Sequence, residues 1–328
     1  MPRLRTSERT AFKRCPARWK WAYVDGLKLR AERPGALWFG TGIHLALQER
    51  YKYRGTRRGK NVLGVWRDYV GDEQAVIYDE SFADDPTAYY DAKELGEAML
   101  GAYLDRYGKD EKWHVVATEE AFEIPIPHPK DPSRPIVDYL SAFDLVALNQ
   151  ETDDSLWLWD HKTAKVISTK HLSLDDQAGS YWALATDMLA HKKLIQPGQK
   201  LDGILYNFLR KAKPDSRPTN ADGLALNKDG TVSKRQPTPN FLREEVWRTR
   251  AERRKQILKI QNEALWMEKI RSGELPLLKN PTKDCSWDCP FFQMCELHES
   301  GGEWKEFRDL AYIRSDPYAD HYTGNHGS

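Results

Sequence analysis

The chain has 328 residues, 40% hydrophobic and 30% charged, with a mean hydropathy of −0.73, which gives it length for a full core and excludes both disorder and a collagen-like repeat. Fifty Lys/Arg against 49 Asp/Glu leave a net charge of +1, so the total gives no evidence of a polyanionic partner. Four cysteines are too few for a disulfide scaffold, the N-terminus lacks an apolar signal core and no run approaches the roughly 18 apolar residues of a membrane span. The expectation is a cytoplasmic protein without membrane contact, its cysteines reduced or bound to metal.

In chain order, a helix is predicted over 6–23, inside a basic and aromatic start that holds nine Lys/Arg against two acids within residues 1–30. Helices follow at 41–54, 60–72 and 87–108; the acidic stretch 68–97, with ten acids and one lysine, reads as a solvated helical segment. Strands are predicted at 114–126, 136–148 and 155–162, the last two joined as a hairpin by the polar cluster 149–154. A helix over 173–191 is capped by Ser173 with Asp176 three residues on, and a strand follows at 202–210. The Pro/Gly/Asn-rich stretch 213–240 reads as a long loop or hairpin, and 241–271 as a basic helix. Residues 315–328 are small, polar and aperiodic, and are expected to fray. The pattern is α/β: a central sheet flanked by helices.

Chemistry concentrates on the central strands. In 155–162 the period of two puts Leu156, Leu158, Asp160 and Lys162 on one face and Trp157, Trp159 and His161 on the other. Asp144 and Glu120 interrupt otherwise apolar strand segments, and a lone buried carboxylate is costly unless a cation or metal balances it. Three inward carboxylates and a lysine suit a hard divalent cation and a group that positions water, whereas a plain surface ion pair of Asp160 with Lys162 remains the simpler alternative. Gln177 and Tyr181 share a helix face at i, i+4, and His44 follows the glycine-rich bend Phe39-Gly-Thr-Gly. The four cysteines fall at Cys15 and at Cys285, Cys289 and Cys295, two proline- and aromatic-flanked sites near opposite ends of the chain. One four-thiolate centre would join them, either an iron–sulfur cluster or zinc, with free buried thiols as the third possibility.

Taken together, Cys15, Gly42-Ile-His44, Glu120, Phe143-Asp144, Asp160-His-Lys162, Gln177-Ala-Gly-Ser-Tyr181 and Cys285, Cys289, Cys295 resemble, in that order, the iron–sulfur branch of the PD-(D/E)XK nucleases. That branch includes the CRISPR-associated exonuclease four family, the AddB-type nuclease domain and phage RecB-like exonucleases. Phe143-Asp144 stands where the family writes Pro-Asp, and the C-x3-C-x5-C spacing differs from the branch's commoner C-x2-C-x5-C. The resemblance implies a restriction-endonuclease-like core in one domain over 1–300, a helical insertion near 55–112, a 4Fe-4S clasp joining the two ends, and a partly disordered extension at 301–328. It implies Mg2+ or Mn2+ held by Asp144, Asp160, the His161 carbonyl and His44. Lys162 would act on the attacking water, Gln177 and Tyr181 on the DNA strand, and Glu120 as a further ligand.

The implied function is a metal-dependent exonuclease acting on single-stranded or frayed DNA ends, in phage recombination, repair or CRISPR-type processing within a bacterial or phage-infected cytosol. The alternative is a catalytically weak end-processing subunit that works with a helicase, recombinase or integrase. A zinc-stabilised endonuclease is a third reading. Sequence-independent phosphate contacts are assigned to Lys211, Lys213, Arg217, Lys234, Arg235, Arg243, Arg248 and Arg250, and base stacking to Trp19, Trp21, Tyr23, Trp38 and Phe39.

Overall fold

The computed structural model describes residues 1–30, 36–52, 61–71, 86–152 and 154–319. Its strands are β1 (Arg3–Leu4), β2 (Leu27–Leu29), β3 (Trp113–His128), β4 (Asp131–Asn149), β5 (Ser155–Ala164), β6 (Gly203–Arg210), β7 (Phe241–Trp247) and β8 (Tyr312–Arg314). β3 runs antiparallel along β4; on the other edge β4 takes β5 antiparallel over 145–149 and β1 in parallel at Asp138 and Tyr139. β5 pairs in parallel with β6, and β6 antiparallel with β7, which completes a mixed six-stranded sheet. A parallel pair needs a crossover, and the helix Asp176–His191 lies within it.

The alternation in β5 places a layer on each face of the sheet. Leu156 and Leu158 pack with Val146, Ile204 and Tyr206 against the helices Asp176–His191 and Arg250–Arg271. Trp157 and Trp159, both fully buried, face the other way with Leu145 and Leu205 against the helices Ala36–Tyr51, Val62–Gly71 and Pro86–Tyr107. This is an α/β fold with a central mixed sheet flanked by helices, consistent with a restriction-endonuclease-like core. The last three helices fall in the expected 55–112 insertion and the 41–54 helix before it; residues 53–60 and 72–85, the latter nearly half of the acidic stretch, lie outside the described residues.

Several predicted elements are corrected. The 6–23 helix breaks at Cys15, which is extended (φ −161°) because Pro16 disfavours a helical residue before it; helix resumes over Pro16–Trp19 and continues as a π-turn over Lys20–Val24. The glycines before His44 form no bend: Gly40 and Gly42 sit inside Ala36–Tyr51, where a Cβ at Gly42 would strike the rings of Trp66 and Tyr69. Residues 241–271 divide into the edge strand β7 and the helix Arg250–Arg271, which starts at a Thr249–Glu252 capping box. The 173–191 helix is capped by Asp175, whose side chain accepts from the Gln177 amide, in place of Ser173. The loop 213–240 reverses twice, through bridges Thr219–Ala225 and Leu226–Val232.

The chain ends meet beside the sheet. β2 pairs antiparallel with β8, and Trp21, Phe291, Met294 and Tyr312 pack a small third core, against which Cys15, Cys289 and Cys295 lie. Within the predicted extension, Trp304–Ala311 is helical and leads into β8; residues 320–328 lie outside the described residues. Among the described residues no helix is long and apolar enough to cross a membrane.

Candidate active site

The ladder between β4 and β5 has its last pair at Leu145–Trp159, and the next residue on each strand is an aspartate. Beyond that pair the Asp144 side chain takes over the role of the ladder: its Oδ2 accepts from the His161 amide at 2.6 Å. Asp144 Oδ1 lies 3.4 Å from His44 Nδ1, so the 36–51 helix supplies an imidazole to the same point. Asp160, 6% exposed, holds the Lys162 ammonium 2.8 Å from Oδ2 on the face they share. Oδ2 is buried, and among the described residues it has no hydrogen-bond partner besides that lysine. Lys162 Nζ also donates to Gln177 Oε1 at 3.3 Å, and Gln177 Nε2 to the Tyr181 hydroxyl at 3.0 Å.

Burial and neighbours push the two carboxylates apart. Burial raises the Asp160 carboxyl to about 6, with Asp144 adding to the rise and Lys162 opposing it. Burial also acts on Asp144, but His44 and the His161 amide overcome it and hold that carboxyl well below its ordinary range. Burial works against the Lys162 ammonium, yet Asp160 raises its pKa overall. The His161 ring, buried on the opposite face, is pushed down to about 3 and is neutral at neutral pH. Two carboxylates in one site, one kept ionised and one poised, form an acid/base pair or a metal-ligand pair.

Among the described residues no three His, Cys, Asp or Glu side chains converge closely enough to hold a metal ion. The donor chemistry nevertheless suits a hard divalent cation: two carboxylates, one of them with a buried oxygen whose partner is a lysine, and an imidazole. Glu120 lies on β3 opposite Phe143; its side chain is outside the described residues.

A cleft of about 1050 Å³ begins at Gln177 and Tyr181 and runs across the N-terminal helices to Asp288 and Phe291. Arg5, Arg14, Arg18, Lys28 and Lys52 line it, a basic wall that the charge of residues 1–30 hinted at. The residues assigned to phosphate contacts lie elsewhere and are largely engaged. Lys213 pairs with Glu94, Arg217 with Asp215, and Arg248 donates to the Leu172 carbonyl at 3.0 Å and to that of Ser173. Lys211 sits over the Phe39 ring, while Lys234, Arg235 and Arg250 are exposed. Arg243 is internal: it pairs with Asp110 at 2.5 Å and stacks on Tyr107 and Trp159, so its charge is turned away from any polyanion. Of the aromatics expected to stack on bases, Trp19, Trp21 and Phe39 are core and Tyr23 lines the cleft; Trp38 is half-buried against Tyr69.

All four cysteines are free and line one cavity of about 1170 Å³. The Asn280 amide donates to Cys15 Sγ at 3.5 Å and the Thr282 amide to Cys285 Sγ at 3.3 Å. Burial pushes the Cys289 and Cys295 thiols up; Arg18 and Lys279 oppose this, and neighbouring cysteines add to it. Two further site residues escaped the sequence reading. Asp175, first of the consecutive pair Asp175-Asp176, caps the helix that carries Gln177. Asn207, the one amide in the apolar strand β6, meets His161 from behind.

The profile of the PD-(D/E)XK nuclease superfamily matches residues 6–296. No curated protein matches the chain. One solved structure, a "Putative exonuclease" from Eubacterium rectale, is 10% identical and aligns over 79% of this chain and 94% of that one at a TM-score of 0.33. The family match spans nearly all the described core, and Asp144, Asp160 and Lys162 lie together within it. The chain belongs to the PD-(D/E)XK nuclease superfamily, which implies a metal-dependent nuclease.

Proposed function

We propose that the protein is a Mg2+- or Mn2+-dependent deoxyribonuclease that works as an exonuclease on single-stranded or frayed DNA ends. The observation that carries this reading is the gathering of Asp144, Asp160 and Lys162 at the ends of two paired strands, with Gln177 and Tyr181 leading away into the basic cleft. Asp144, Asp160, the His161 carbonyl and His44 are the residues that would hold the cation, which when bound supplies a water of lowered pKa and neutralises phosphate charge. Lys162 stands beside Asp160 with its ammonium directed toward Gln177, where it orients the attacking water and offsets charge developing on the phosphate. Gln177 and Tyr181 hold the strand next to the scissile bond, and the arginines and lysines of the cleft bind its backbone without regard to sequence. A digestion series with end-labelled DNA and Mn2+ tests the reading: stepwise shortening from one end is expected, and internal fragments would make the enzyme an endonuclease. Binding without any degradation favours the accessory-subunit alternative.

The same proposal assigns a 4Fe-4S cluster to Cys15, Cys285, Cys289 and Cys295. Its support is that all four thiols face one cavity and that Cys15 and Cys285 receive main-chain donors, as cluster sulfurs do. Protein purified without oxygen is expected to be brown and to contain iron and acid-labile sulfide in equal amounts, and Cys289→Ser to lose both. Stoichiometric zinc in a colourless protein would assign the site to zinc, and neither metal would leave four free, half-buried thiols.

A further inference from the structure

Behind the nuclease centre, on the face of β5 opposite Asp160 and Lys162, lies a buried polar network that the chemistry above does not use. Asn207 on β6 is the parallel partner of His161 and is fully buried. Arg243 Nε donates to Asn207 Oδ1 at 3.4 Å, and because arginine cannot accept, this contact fixes which end of the amide faces which neighbour. Asn207 Nδ2 is thereby turned toward His161 Nδ1 at 3.0 Å and the Tyr103 hydroxyl at 3.0 Å. Arg243 is itself held by both carboxylate oxygens of Asp110 and by the hydroxyls of Tyr51 and Tyr103. Each polar group has its partner, so the amide is held rigidly.

The rigidity reaches the centre through His161. Its ring stacks on Tyr51 and stands edge-on to His44, with centroids 5.9 Å apart in both cases, while its amide donates to Asp144. The His161 ring thus borders the imidazole beside Asp144, and the main chain of the same residue lies between Asp160 and Lys162.

We infer that Asn207 is a positioning residue of the nuclease centre, donating to His161 Nδ1 so that the His161 main chain and the His44 ring are held in place for a divalent cation. The inference rests on the proposed reading of Asp144 and Asp160 as cation ligands. Outer partners of metal ligands typically contribute roughly 10–100-fold to affinity or activity.

Two variants test it. Asn207→Leu removes donor and acceptor together and leaves Arg243 Nε and His161 Nδ1 without partners. Asn207→Asp keeps the shape and the acceptor for Arg243 but replaces the amide donor with an oxygen, to which His161 can donate once its proton moves to Nδ1, and it buries a second carboxylate beside Arg243. Mn2+ binding is measured by calorimetry on the protein without DNA, beside Tm, kcat and KM, at a temperature where circular dichroism shows each variant folded. Asn207→Leu is expected to keep the KM for DNA while losing roughly 10–100-fold in Mn2+ affinity and in kcat at fixed Mn2+, with a lowered Tm. Asn207→Asp, which restores a bond to His161, is expected to lose less than Asn207→Leu in both. Parental Mn2+ affinity and kcat in folded Asn207→Leu would overturn the inference and leave the reading of the centre standing. If Asp160→Asn also leaves Mn2+ affinity unchanged, the reading of the centre falls and takes the inference with it.

Discussion

Lys162→Ala is expected to lower DNA cleavage by roughly 10²–10⁴-fold, and Asp160→Asn by on the order of 10³-fold, while both proteins still bind DNA. The two effects differ in origin. Among the described residues Lys162 is the only cation within 3 Å of Asp160, and its removal would take away the group proposed to orient water and offset phosphate charge. Asp160→Asn keeps the shape but removes the negative charge that a divalent cation requires, and it leaves the half-buried Lys162 ammonium without its counter-ion. DNA binding is expected to survive in both because the cationic residues from Arg5 to Lys28 that line the cleft lie on other elements. Gel-shift binding beside single-turnover cleavage separates the two quantities; an Asp160→Asn protein that cleaves at the parental rate would contradict the assignment.

The second large effect is on stability. Arg9→Met is expected to destabilise the protein by about 3–5 kcal/mol, read as a shift of the urea midpoint, although Arg9 touches no catalytic group. Its side chain is fully buried between three helices. Nε donates to Glu263 at 2.6 Å, Nη1 to the Ser180 hydroxyl at 2.6 Å and Nη2 to Asp176 at 3.3 Å. Burial would raise the Asp176 carboxyl, but Arg9 and then Gln256 and Lys13 hold it well below its usual range. Removing the guanidinium leaves Glu263 only the Lys13 ammonium, at 3.7 Å, and exposes much of the cost of a half-buried carboxylate. The double variant Arg9→Met/Glu263→Met is expected to recover much of the loss, because apolar groups of similar volume can replace a buried pair. A shift below about 1 kcal/mol for Arg9→Met alone would show that the network contributes little.

These networks mark where the sequence was legible. The alternation Leu-Trp-Leu-Trp-Asp-His-Lys places Asp160 and Lys162 on one face and His161 on the other, as found, because a strand's period of two needs no tertiary information. Asp144 stands out as a carboxylate among apolar residues and does sit beside them. Arg9, in contrast, reads as one more cation in a basic stretch; only the approach of the 176–191 and 250–271 helices shows that it is a clasp. Asn207 gains its role from parallel pairing across 46 residues, which no local pattern encodes. β7 falls within the predicted 241–271 helix, and its Arg243, Glu244 and Glu245 show no strand alternation. As an edge strand it tolerates them, and pairing with β6 decides the conformation. The closure of the chain ends, expected of the cysteines alone, is seen in the β2–β8 pair and in Tyr318, whose hydroxyl donates to Glu8 at 2.5 Å.

The central claim is that the pair of strand ends bearing Asp144, Asp160 and Lys162 hydrolyses phosphodiesters with a divalent cation. The same end-labelled digestion, run on the unaltered protein with Mn2+ and again with excess EDTA, tests it most directly. Degradation in Mn2+ that EDTA stops is the predicted result; degradation that persists in EDTA, or none with either Mg2+ or Mn2+, would contradict it.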